Sequence, residues 1–283
     1  MREDTAEKYD EVLPNYYFFD WESKKYIEET FFLKKYLADK KFSHALEFGV
    51  GTGRMTKIVQ PHTNAYTGID LGQSMVEKTQ SLIGRNNDRF INIDINSFIS
   101  QESSNFKQYD FFTSFWAYNY SLLEFFEYYF PETDDHGRYS DLVLAEDKAK
   151  NQIEKLFTSF SKNTEFLIYY FDAYSVEQSY VTSVLEKDLP FPYDDRGYTY
   201  KLLQKVLSEI DKIDVEFEHL NGFAKLKNTT HLLNYFGTLH LEGFLNTEVQ
   251  KEALINHFSA YQDENGIYSL PAGLNVIRGR VVK

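Results

Sequence analysis

One segment constrains this chain more than any other: Leu46-Glu47-Phe48-Gly49-Val50-Gly51-Thr52-Gly53-Arg54. A short apolar run from His44 to Phe48 leads into three glycines at alternate positions. Thr52 to Gln60 then reads as the start of a helix, stopped by Pro61. Glycines so spaced let the backbone turn sharply and approach a ligand where a Cβ would collide. Strand, glycine turn and helix in that order make the first half of a parallel βαβ unit, which calls for a sheet with helices on both faces.

The rest of the chain continues the alternation. Ala65 to Asp70 reads as a second strand and Gln73 to Ile83 as a helix ended by Gly84. Arg89 to Asp94, Tyr109 to Phe115 and Glu165 to Phe171 are the third, fourth and fifth strands, with helical segments between. Tyr198 to Ile210 is helical in pattern. Lys212 to Leu220 alternates Ile213, Val215 and Phe217 with charged neighbours, as a half-exposed strand does. A mostly helical stretch from Asn228 to Phe258 and a last strand, Gly273 to Val282, complete the chain, the final two strands making an antiparallel edge. Between strands four and five, Asn119 to Lys162 is longer than a βα connection needs. It holds an aromatic, helix-like run (Leu122 to Phe130) and a polar turn region, Pro131 to Ser140. The first 40 residues read as helical, with Leu13 to Asp20 a loop or short helix whose aromatics either pack on the main domain or close over a ligand. The expected architecture is therefore an α/β, Rossmann-like sheet, mostly parallel with an antiparallel edge. A helical cap spans 1–40, and the main domain, 41–283, carries helical insertions near 119–145 and 222–270.

Composition removes several classes of function. Of 283 residues, 43 are acidic and 30 basic, for a net charge of −13, whereas a phosphate-binding groove needs clustered Lys and Arg. No nucleic-acid partner is expected. There is no cysteine, which excludes disulfides, zinc–thiolate and iron–sulfur sites and a cysteine nucleophile. Met1 to Pro14 is charged and lacks the apolar run of a signal peptide. No stretch approaches the ~18 apolar residues of a membrane span, so the expectation is a soluble, cytoplasmic protein. Asp134-Asp135-His136 reads as a solvated turn, and no metal is expected.

Glu47 stands two residues before the first glycine, and the third glycine comes one residue earlier than in the dinucleotide fingerprint G-x-G-x-x-G. This E-x-G-x-G-x-G pattern resembles motif I of the class I S-adenosylmethionine-dependent methyltransferases, and the resemblance runs over Ser43 to Phe171. It implies S-adenosylmethionine as cofactor and S-adenosylhomocysteine as its product. It further implies that Glu47 meets the cofactor's ammonium group, directly or through water or a backbone neighbour. Phe48, Gly49, Gly51, Gly53 and Arg54 form the turn around the cofactor. Asp70, roughly 20 residues after the first glycine, accepts the ribose hydroxyls. Leu71 and Met75 flank the adenine, Asp94 caps its amino group and Ile95 packs on the ring. For Asp70 and Asp94 the alternative is helix capping. Tyr109 to Trp116 lies close to motif IV, which puts Phe115, Trp116 and Tyr118 near the sulfonium. The family's Pro-Gly-Gly turn before strand five is replaced by Ser161-Lys162-Asn163-Thr164, where Asn163 can take the left-handed turn conformation. The layout after strand five also looks like small-molecule N-methyltransferases of the histamine methyltransferase type.

The acceptor is narrowed by elimination. Cytosine C5 methylation needs the missing cysteine. Amide or adenine nitrogen methylation uses Asn/Asp-Pro-Pro-Tyr/Phe after strand four, where this chain has Ser114-Phe115-Trp116-Ala117. Metal-dependent catechol methylation needs an Asp/Asn cluster that is not found. What remains is methyl transfer to N or O of a small organic molecule, with the acidic balance favouring a cation or amine. Candidate substrate-binding residues are Tyr16, Tyr17, Tyr118, Tyr120 and Tyr235, with Tyr128 and Tyr129 in the same regions. Candidate catalytic residues are Tyr118 and Asn119, and His231, His240 and His257 are candidate bases. Competing readings are a protein or peptide methyltransferase, an aminopropyltransferase (which carries an extra acid where Ser114 stands) and a non-catalytic methyltransferase-like binding protein.

Overall fold

The computed structural model describes residues 6–130, 135–186, 193, 195–241 and 243–283. In chain order these form α1 (Ala6–Val12), β1 (Asn15–Asp20), β2 (Lys25–Glu28), α2 (Glu29–Leu37), β3 (Phe42–Phe48), α3 (Thr56–Val59), β4 (Thr63–Asp70) and α4 (Gln73–Ile83). There follow β5 (Asp88–Asn92), α5 (Ile95–Glu102), β6 (Phe111–Phe115), α6 (Tyr118–Leu123), β7 (Glu127–Phe130), β8 (Asp135–Arg138), α7 (Leu142–Ser159) and β9 (Glu165–Phe171). The last third holds α8 (Val176–Leu185), α9 (Tyr198–Glu209), β10 (Ile213–Leu226), α10 (Thr229–Tyr235), a π-helical turn (Phe236–His240), α11 (Glu248–Phe258) and β11 (Tyr268–Val281).

Nine strands make one sheet in the order β2-β1-β10-β11-β9-β6-β3-β4-β5. From β5 to β9 every neighbouring pair is parallel. Beyond β9 the pairs β9–β11, β11–β10, β10–β1 and β1–β2 are all antiparallel. Strand alternation sends successive side chains to opposite faces. Leu46 and Phe48 of β3 thus meet Phe98, Phe112, Ile153 and Phe157 under α5 and α7, while Ala45 meets Leu33, Leu37, Met55 and Val59 under α2 and α3. A third cluster, with Leu232, Phe236, Leu254, Phe258 and Tyr268, forms where the segment between β10 and β11 folds onto the sheet.

The parallel strands match the sequence reading closely: β9 and α4 have the expected bounds, and Asn163 adopts φ +72°. The N-terminal segment is a correction. Residues 1–40 are not a purely helical cap, because β1 and β2 form a hairpin that extends the antiparallel edge to four strands. Phe18 is fully buried by it. The hairpin docks because β10 runs on past Leu220 through Gly222, where a Cβ would lie 2.0 Å from the Tyr17 carbonyl oxygen. Glycine in a strand marks such a close approach of another backbone. The first insertion is likewise not wholly helical: α6 ends at Leu123, and Glu127–Phe130 pairs with Asp135–Arg138 as a β-hairpin. The second insertion occupies 227–267 and is chiefly helical. Asp134 lies outside the described residues, as do the side chains of Tyr129 and His136. Among the described residues no group of three metal-ligating side chains gathers, and no helix is long and apolar enough to cross a membrane.

Candidate functional site

The carboxyl ends of β3, β4, β5 and β6 lie side by side, and the residues following them converge. Gly49, Gly51 and Gly53 all have positive φ, at +75°, +52° and +83°, a region that L side chains enter only with strain. Their surroundings differ. A Cβ on Gly49 would sit 2.2 Å from the Ala117 Cβ just past β6, whereas a Cβ on Gly51 would meet nothing within 4 Å among the described residues. Gly49 is therefore required by the protein's own packing, and Gly51 borders open space that a ligand can enter.

Asp70, at the end of β4, holds this turn. Its Oδ2 accepts the Gly51 N–H at 2.8 Å and its Oδ1 the Gly72 N–H at 2.9 Å. Burial pushes its carboxyl above the usual range, against the opposing effect of those amides. Thr79 of α4 donates to the Gly51 carbonyl at 2.8 Å, and Asn92 at the end of β5 donates to the Leu71 carbonyl at 2.6 Å. Leu71 stands 43% exposed beside the turn, while Met75 is buried. Asp94 is the N-cap of α5, its Oδ1 accepting from the Ser97 N–H at 2.7 Å. The capping alternative is thus realised for Asp94. Ile95 opens that helix half-buried.

Glu47 and Phe48 contribute differently from the expectation. Glu47 is 1% exposed, accepts the Tyr66 hydroxyl, and has its carboxyl pushed up to about 7 by burial. The Phe48 side chain is in the core, edge-on to Phe112, which leaves its backbone alone near the turn. Arg54 is held by Glu29 of α2, whose other oxygen accepts the Trp116 indole N–H at 2.9 Å. That one buried carboxylate ties α2, the glycine turn and the end of β6 together.

Past β6, Trp116 has φ +61°, a real outlier for so bulky a residue and of a kind concentrated at functional sites. Its ring stacks on Tyr16 of β1, with centroids 5.1 Å apart. Phe115 is buried, edge-on to Tyr169. Three of the remaining residues are corrections. Tyr118 is fully buried and bonded to Gln152 at 2.9 Å, so α6 turns it into the core and away from the site. Tyr17 follows Tyr16 in a strand and so points to the opposite face, onto Phe223. His231 is engaged at both ring nitrogens, by the Lys227 N–H and the Val12 carbonyl, and so fastens α1 to α10. Asn119, by contrast, keeps a buried Oδ1 that no donor among the described residues reaches.

Tyr16 leads to a group of residues whose connection the sequence did not reveal. Its hydroxyl lies 2.9 Å from that of Tyr235 in α10, and Tyr235 donates to Glu177 Oε1 at 2.5 Å. His240, at the end of the π-helical turn, approaches the same tyrosine at 2.9 Å and the same carboxylate at 3.4 Å. Burial alone would raise the 4%-exposed Glu177. The donors His240, Tyr235 and Gln178 instead bring it below the usual carboxylate range. Tyr120 is raised by burial of its hydroxyl and by the Glu177 charge, although the residue is partly exposed. Tyr16, Tyr120 and Tyr235 were expected near an acceptor; Glu177 was not singled out, since one acid at a helix start gives no signal of the tyrosines it will meet.

No protein-family model matches the chain, and no curated protein matches it in sequence. Solved structures do match in fold. The YcgJ protein from Bacillus subtilis aligns with a TM-score of 0.51 at 13% identity, over 90% of this chain and 98% of its own. BH2331 from Bacillus halodurans C-125, a proposed methyltransferase, aligns with a TM-score of 0.51 at 11% identity, over 90% and 99%. At these identities the fold is what is shared.

Proposed function

We propose that this protein is an S-adenosylmethionine-dependent methyltransferase that transfers a methyl group to N or O of a small organic molecule. The observation that carries the reading is the pairing of Gly51 with Asp70: a left-handed glycine facing open space, clamped by a carboxylate at the end of the neighbouring strand. The residues fit the cofactor. Asp70 keeps acceptor capacity beyond its two amide bonds for ribose hydroxyls. Leu71, Met75 and Ile95 supply an apolar seat for adenine, and the second oxygen of Asp94 is a site for the adenine amino group. Arg54, already paired with Glu29, lines the turn, and the Asn119 Oδ1, without a donor among the described residues, suits an ammonium. The glycine turn binds no phosphate-sized anion in this reading, because a carboxylate already takes the Gly51 N–H.

When bound, the cofactor supplies a methyl group on a positively charged sulfur. The chain's part is alignment and exclusion of water. The stacked pair Trp116 and Tyr16 offers a π surface to a cation, and α1 packs on α4, the helix that follows the Asp70 turn. The acidic balance, 43 acidic against 30 basic residues, supports a reading in which the protein does not act on nucleic acid.

Calorimetry with S-adenosylhomocysteine tests the reading. Binding in the micromolar range or tighter is expected, and Asp70→Ala should weaken it by ~100-fold, about 2.7 kcal/mol, as loss of a hydrogen-bonded carboxylate does. Wild-type affinity in that variant overturns the site.

A further inference from the structure

We propose that Glu177, reached through Tyr235 and Tyr16, is the counter-charge for an amine-bearing acceptor molecule held against Tyr16 and Trp116. The proposal rests on the methyltransferase reading and names the substrate class of that site.

Hydrogen-bond valence fixes the direction of the chain. A carboxylate only accepts, so the single Tyr235 proton lies on the 2.5 Å bond to Glu177. The Tyr235 oxygen must then accept from Tyr16, and from His240 Nε2–H, each at 2.9 Å. Every proton in the row Tyr16–Tyr235–Glu177 therefore points towards the carboxylate, leaving the Tyr16 oxygen as the end that can accept from something new. That end is beside the candidate cofactor site: the Tyr16 ring stacks on Trp116, whose indole shares Glu29 with Arg54 of the glycine turn.

The cluster has no evident structural need. It draws on β1, α8, α10 and the π-helical turn, and π-helical turns concentrate at functional sites. A well-packed apolar replacement for a buried charge is often as stable or more so. Among the described residues, His240 is the one ion-pair partner of Glu177, and the nearby Arg54 is matched by Glu29. A buried negative charge behind Tyr235 and Tyr16, with Trp116 stacked on Tyr16 and Tyr120 within the reach of its field, complements a small cation, by charge and by the ring faces.

No bond is made or broken at this stage: the ammonium N–H donates to Tyr16 Oη, the Tyr16 proton is turned to Tyr235 and the Tyr235 proton to Glu177 Oε1, so the row presents the carboxylate's charge to the substrate. Tyr16 touches the substrate; Tyr235 and Glu177 are positioning residues behind it.

The test is a binding experiment in the presence of saturating S-adenosylhomocysteine. The chain has two tryptophans, and Trp21 is 67% exposed, so Trp21→Phe leaves Trp116 as the sole indole reporter. The probes are 2-phenylethylamine, tyramine and cyclohexylmethylamine, each paired with its alcohol isostere. At least one amine should quench Trp116 with an affinity tenfold or more above that of its alcohol. Glu177→Gln and Tyr235→Phe should bring that ratio close to one while S-adenosylhomocysteine still binds. A merely structural role would weaken amine and alcohol alike. Equal binding of amine and alcohol, a ratio unchanged in Glu177→Gln, or no probe bound to the cofactor-loaded protein overturns the proposal. Failure of S-adenosylhomocysteine to bind the wild type instead removes the reading beneath it, and the proposal with it.

Discussion

Two buried glutamates, one in each half of the sheet, show how differently the halves are built. Glu47 lies in the parallel half, on β3, with the Tyr66 hydroxyl as its close partner, and burial pushes it up to about 7. Glu177 lies over the antiparallel half, and enough donors surround it to hold it below the usual carboxylate range in spite of burial. The first is a carboxyl kept close to neutral by its surroundings; the second is a maintained charge. The parallel half is assembled from neighbours in sequence, with glycine turn, Asp70 and Asp94 each ending a successive strand. The antiparallel half brings together residues as far apart as Tyr16 and Tyr235. A ligand common to many proteins can be read from a local turn, whereas a particular acceptor needs a pocket made once, from distant parts.

The largest effect should come from the glycines. Gly49→Ala places a Cβ 2.2 Å from that of Ala117 at φ +75°. Overpacking and left-handed strain together should cost roughly 3 kcal/mol or more of stability. Gly51→Ala meets nothing within 4 Å, so it should cost only about 1 kcal/mol of stability, yet weaken S-adenosylhomocysteine at least tenfold, because its Cβ enters the ligand's space. Urea unfolding and calorimetry on both variants check this. Equal stability losses would show that the two glycines do the same work and that no ligand space lies at Gly51.

A smaller effect tests the glutamates directly. A carboxyl whose folded pKa is raised favours the fold below its ordinary value and loses that contribution as pH rises through the folded value. Glu47→Gln should therefore gain stability relative to wild type between pH ~4.5 and pH 7, by up to about 3 kcal/mol, and the gap should stay constant above. Glu177 has the opposite sign. Its lowered pKa contributes stability at neutral pH that is lost on acidification, so Glu177→Gln should be destabilised at pH 7 and approach wild type as pH falls below the usual carboxylate range. Urea midpoints measured from pH ~2.5 to pH ~8 decide the matter, and parallel pH trends in the two variants would break the contrast.

The same division governs how much the sequence revealed. The strand–glycine–helix order, the acids ending β4 and β5, and the left-handed Asn163 are local features, and each is legible in a handful of consecutive residues. The β1–β2 hairpin was not. Tyr16 to Phe19 is a run of four aromatics, without the polar alternation that marks a half-exposed strand, and Pro14 and Asn15 precede it. Gly222 was the available signal, since a glycine inside a strand pattern indicates another backbone close by. Tyr118 was misplaced because position after β6 does not say which way a helix turns its first side chain. Nothing in the sequence joins Glu177 to Tyr235: a helix-starting acid and a helix-ending tyrosine are each ordinary, and only the fold makes them partners.

The least change is expected where the halves are fastened together at the surface. Helix α1 contacts α4, which follows β4 in the parallel half, and α10, which belongs to the insertion of the antiparallel half. It is fastened by His231 Nε2 to the Val12 carbonyl on one side, and on the other by Lys78, which pairs with Asp10 and donates to the Ala6 carbonyl at 3.3 Å. The ion pair is substantially exposed, at 43% and 31%, and such pairs contribute at most ~1 kcal/mol. The buried side chains of Val12 and Ala6 and the His231 bond remain when it is removed together with the long Lys78 bond to the Ala6 carbonyl, and methionine keeps a stem of similar length. Lys78→Met should therefore shift the urea midpoint by less than the Glu47 substitution does, and S-adenosylhomocysteine affinity by less than about fivefold. A larger loss of affinity without a matching loss of stability would mean that the closure of α1 over the cofactor end depends on this one surface charge. The two halves would then be coupled by an electrostatic latch instead of by packing.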